Sequence, residues 1–135
     1  MSDGGEKGLF DLAGNVVLVT GGDSGSLTVF TGLQGMEHYG AAKGAIASMM
    51  KGIAVEMGPY GVRANMVAFG LFSTAMTVSP QIGAIEAQTA ARTPLRRVGR
   101  LADIHGIAAY LASDASAFHT GDILILDGGR MALSP

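Results

Sequence analysis

The 135-residue sequence contains no cysteine. That excludes a disulfide framework, a thiolate nucleophile and thiolate metal sites, and it leaves the compartment undefined by redox chemistry. Charge is scarce as well: Asp, Glu, Lys and Arg together make up 15% of the chain, below the usual quarter, and the formal net charge is −2. With no basic run there is no electrostatic footprint for nucleic acid. No apolar run approaches membrane-spanning length. The polar, glycine-rich stretch from Met1 to Gly8 lacks the apolar centre of a signal peptide, so a cytoplasmic location is expected. The three histidines, His38, His105 and His119, have no ligand spacing, and no metal site is expected. Ser24 can be drawn into a triad with a histidine and an acid, but nothing in the sequence places the three together.

What the chain does contain fits one small globular domain. The hydrophobic fraction is 48%, which is ordinary, and there are 21 glycines, about twice typical usage. Residues 1–9 read as a loose arm and 10–135 as a single domain. Strand and helix signals alternate along it, as in an α/β protein. Val16 to Thr20 is a continuous apolar and β-branched run suited to a buried strand, and Leu27 to Thr31 reads as a second strand. From Tyr39 to Met57, Ile46, Met49, Met50, Ile53, Ala54 and Met57 follow the spacing of one helix face, and Gly58-Pro59-Tyr60-Gly61 stops the helix. Val62 to Ala68 predicts a third strand and Ile123 to Leu126 a fourth. Helices are predicted over Ile82 to Ala91 and Ala102 to Ala112, the latter with Asp103 in a first turn that suits a carboxylate. Arg92 to Arg100 reads as a loop.

The chemistry centres on Tyr39 and Lys43, one helical turn apart in Tyr39-Gly40-Ala41-Ala42-Lys43. Residues so spaced share a helix face, and an ammonium beside a phenol eases loss of the phenol's proton. Upstream, Thr20-Gly21-Gly22-Asp23-Ser24-Gly25 is a glycine turn at the end of an apolar strand. Downstream come Asn65 to Gly70 with Phe72 and Thr74 after it, and then Thr120-Gly121 leading to Asp127-Gly128-Gly129. In this order the four motifs resemble the short-chain dehydrogenase/reductase family. The likeness covers nearly all residues from about Phe10 to Gly129. The family's domain is usually roughly 250 residues. The chain therefore looks like such a domain with a large internal deletion between the glycine turn and the strand before the tyrosine helix.

The resemblance implies a truncated, Rossmann-like doubly wound sheet of about four strands. It also implies a function: NAD(P)-dependent transfer of hydride between nicotinamide and a carbonyl or secondary alcohol, with Tyr39 moving the proton and Lys43 supporting it. Thr31 stands where the family has a catalytic serine. NAD or NADP would contact Thr20, Gly21, Gly22, Gly25, Tyr39, Lys43, Gly70, Phe72 and Thr74. Some positions depart from the family pattern. Leu27 takes the place of the third glycine, Phe69 that of a proline, Phe72 that of a smaller aliphatic residue, and no acid follows the glycine turn at the distance where ribose hydroxyls are usually held. Gly21 to Ser26 is too short for a crossover between parallel strands, so the first two strands are expected as a hairpin, or the first is detached from its family position. Two function classes remain open: an oxidoreductase, and a catalytically inert deletion product or partner subunit of an intact relative. The apolar helix face also predicts a homo-oligomer.

Overall fold

In the computed structural model, residues 8–12, 15–17, 27–32, 34–73 and 80–133 are described. The longest element is helix α1, Glu37–Met57, built from alanine and methionine with no proline to interrupt it. It runs into a single 3-10 turn at Gly58–Tyr60. Gly61, at φ 77°, then takes the left-handed conformation that reverses the chain. Helices α2 (Pro80–Ala91) and α3 (Ala102–Ala112) follow.

Among the described residues, four short strands form two parallel pairs. β1 (Met66–Phe69) pairs with β4 (Ile123–Leu126) in the register Met66 to Ile123 and Phe69 to Leu126. β2 (Phe72–Ser73) pairs with β3 (Gly99–Arg100). Parallel neighbours need a long connection between them, and α2 and α3 lie within the one that joins β1 to β4. The core is small. Ala47 and Met50 of α1 meet Met66 of β1, and Val29, Ala64 and Ile123 pack around them. Ala54 and Ala68 are buried too. The predicted apolar stripe of α1 is thus only half used: Met50 and Ala54 face inward, while Met49 and Ile53 remain 56% and 39% exposed.

Several sequence expectations are corrected here. Leu27–Val29 is a 3-10 helix, not a strand. Its backbone is satisfied locally, because the amides of Phe30 and Thr31 both donate to the Leu27 carbonyl, and Val29 turns into the core in place of a strand-face contact. The expected hairpin therefore has no second strand. Val16 and Val17, the described start of the first strand, are unpaired with any described strand and are solvent-exposed. Residues 18–26 of that strand and turn, like 1–7 of the arm, lie outside the described residues. The third strand starts later than Val62, at Met66, and ends at Phe69; before it the Ala64 amide donates to the Thr120 hydroxyl in place of a strand carbonyl. The loop Arg92 to Arg100 ends in β3. A glycine at 99 admits the Phe72 ring, whose carbons come within 2.6 Å of where a Cβ would stand.

Candidate active site

Tyr39 and Lys43 sit in the first two turns of α1, both half-buried. The i, i+4 spacing brings the Lys43 ammonium over the tyrosine ring, 4.9 Å from its centroid. Just before them the chain enters the helix through Gly35 at φ 77°, whose amide donates to Glu37 Oε1 at 3.2 Å. This entry, with residues 28–32, borders an open depression of about 560 Å³ lined on one side by Val29, Phe30 and Thr31 and on the other by Met36, Glu37 and Gly40. Thr31 is thus brought to the rim beside the tyrosine helix. Its hydroxyl donates to the Leu27 carbonyl at 3.1 Å, closing its own turn.

At the far end of β1 the predicted residues are bound up in packing. A Cβ on Gly70 would stand 3.0 Å from both Cα and Cβ of Asp127, so a side chain there would crowd the point where the two strand exits pass each other. The Phe72 ring meets Phe69 edge-on, with centroids 5.2 Å apart. Asp127 accepts from the amides of Gly129 and Met131 at 2.8 and 2.7 Å and so caps the turn that follows β4. Thr20, Gly21, Gly22, Gly25 and Thr74 lie outside the described residues.

Two polar clusters were not among the site residues expected from the sequence. Arg97 grips Asp103 with its two terminal guanidinium nitrogens, at 2.5 and 2.9 Å, and the Arg100 amide donates to the same carboxylate. The bond from Arg97, then that from the Arg100 amide, lowers the Asp103 pKa to about 2 from its ordinary 3.8. In the second cluster, the His119 ring joins Tyr110 through Nδ1 at 2.9 Å and Asp122 through Nε2 at 3.0 Å. The Asp122 carboxyl is held below its ordinary range chiefly by His119 and secondly by the Ile123 amide. The local signal for this cluster was a histidine and an aspartate three apart around Gly121, which takes φ 79°. Among the described residues no three His, Asp or Glu side chains gather as metal ligands, and no helix is long and apolar enough to cross a membrane.

Comparison with known proteins gives this geometry its context. The enoyl-(acyl carrier protein) reductase family profile matches residues 11–130. The cyclohexanol dehydrogenase of Rhodococcus sp. (strain TK6) is 42% identical over 96 residues, which is 70% of this chain and 35% of that protein. The gluconate 5-dehydrogenase of Gluconobacter oxydans is 39% identical, covering 70% of this chain and 38% of its own length. Among solved structures, the gluconate 5-dehydrogenase of Burkholderia cenocepacia in complex with NADP and tartrate superposes with a TM-score of 0.73 at 32% identity. That match covers 82% of this chain and 44% of that one. The chain therefore spans less than half the length of each of these relatives, and its α/β architecture is a truncated form of theirs.

Proposed function

The chain belongs to the short-chain dehydrogenase/reductase family, and on that premise we propose that Tyr39 and Lys43 form the proton-transferring pair of a nicotinamide-dependent site for a carbonyl or secondary alcohol. The observation that carries this reading is the Lys43 ammonium poised over the Tyr39 ring, in a helix whose first turn borders an open depression through Glu37 and Gly40. The donor set at this end fits the cofactor: an ammonium offers three N–H donors to ribose hydroxyls, and a phenol both donates and accepts. Bound NAD or NADP would supply or accept the hydride. Tyr39 would give its proton to the carbonyl oxygen in reduction and take it back in oxidation. Lys43, one turn away, would attract the negative charge left on the phenolic oxygen. Thr31, on the rim, would turn its hydroxyl from the Leu27 carbonyl to the substrate oxygen. Thr20, Gly21, Gly22, Gly25 and Thr74 complete the proposed dinucleotide contacts, and Gly70 and Phe72 are proposed to join them from the exit of β1.

The test is oxidation of NADH or NADPH with a panel of carbonyl compounds. Turnover that Tyr39→Phe lowers by about 10²- to 10⁴-fold supports the proposal; turnover indifferent to Tyr39→Phe overturns it. A second reading, an inert deletion product or partner subunit, is favoured by one observation. The stretch before the tyrosine helix, predicted as a strand, is a 3-10 turn in a chain less than half as long as its relatives. No turnover by the parent chain would select that reading. Self-association is part of either, because Met49, Ile53, Val55 and Tyr60 leave an exposed apolar surface on and just after α1. Light scattering should return a multimer at micromolar concentration; a clean monomer would contradict it.

A further inference from the structure

Building on the Tyr39 site, we infer that the depression before α1 admits uncharged substrates in preference to carboxylates, and that Glu37 sets this preference. Among the described residues lining it, Glu37 carries the only charged side chain. The N-terminus of a long helix, left to itself, draws anions through roughly half a positive charge and its free amides. The residue before α1, Met36, offers no side-chain cap to those amides. Glu37, in the first turn, sets a full negative charge against that half charge, and the Gly35 amide at 3.2 Å anchors its carboxylate at the rim. The Lys43 ammonium is directed elsewhere, over the Tyr39 ring one turn farther along, and it does not line the depression. What the walls offer a ligand is the Thr31 hydroxyl, the Gln34 amide and the apolar surface of Val29, Phe30 and Met36. That combination suits a neutral alcohol or ketone with an apolar body and repels a sugar acid.

The experiment reads binding without nucleotide, so that it stands apart from turnover. Amide NMR signals of Thr31, Gly32 and Gly40 are followed while cyclohexanol or gluconate is titrated into the full chain, its Glu37→Gln variant and, as a charge-preserving control, Glu37→Asp. Cyclohexanol should move these signals at concentrations on the order of tenfold lower than gluconate. The gap should close or reverse in Glu37→Gln, persist in Glu37→Asp, and narrow as salt is raised. Gluconate binding as well as cyclohexanol to the parent chain, an unchanged gap in Glu37→Gln, or no response to either ligand would each overturn the inference. If the preference holds and no substrate is turned over, the proposed oxidoreductase fails while the selectivity stands. Turnover that favours gluconate would do the opposite, sinking the selectivity and leaving the oxidoreductase in place.

Discussion

Where β1 and β4 begin, polar side chains stitch distant parts of the chain together; among the described residues, α1 is held to the core through apolar side chains. At the strand starts, Asn65 donates to the His119 carbonyl and accepts from the Asp122 amide. Arg63 donates to the carbonyls of Leu111 and Ser113, capping the end of α3 with a cation where the helix dipole is negative. Ser113 and Ser116, each 1% exposed, return their hydroxyls to nearby carbonyls. The tyrosine helix buries only Ala47, Met50 and Ala54. Directional bonds fix one region in register, while the proposed catalytic helix rests on a handful of methyl and thioether contacts. It is the region from which low-energy opening is expected.

The contrast is broken most severely by Met50→Ala, which removes the largest side chain that α1 buries and leaves a cavity against Met66. A loss of about 2–5 kcal/mol is expected, read by urea denaturation, with the helical signal falling before the signals of β1 and β4 in hydrogen exchange. Next comes Asn65→Ala on the stitched side. It removes the bonds to the Asp122 amide and the His119 carbonyl and should cost about 0.5–1.5 kcal/mol, with faster exchange at Asp122 and no change at Tyr39. The smallest effect belongs to acid. Asp103 keeps a pKa of about 2 in the folded chain against an ordinary 3.8. Its contribution is therefore complete above about pH 4 and is lost as pH falls towards 2. Asp122, also depressed, acts in the same sense. Thermal melts across that window should show a decline that Asp103→Asn flattens only slightly, because exposed ion pairs are weak.

How far the sequence could be read follows the same division. Helices α1 and α3 and strand β4 were legible because each has a continuous period and a clear stop, such as Gly58-Pro59 after Met57. The approach of Lys43 to Tyr39 followed from their spacing. Leu27 to Thr31 misled because β-branched residues favour a strand only where a partner strand exists. With none beside it among the described residues, the segment closed on the Leu27 carbonyl. β2 and β3, of two residues each, are too short to show a period, and their signal was a single glycine facing an aromatic ring. The bonds of Asn65, Arg63 and His119 reach across some fifty residues, which no local pattern records. Gly70, expected as a cofactor contact, also meets a packing demand that no local pattern records, its close approach to Asp127.

The measurement that bears most directly on the central claim, that a chain shorter than half its relatives keeps a working tyrosine–lysine face, is calorimetric titration of NADH and NADPH into the purified protein. The proposed site predicts saturable binding in the micromolar range, weakened by Lys43→Met. Failure to saturate at millimolar nucleotide would contradict it.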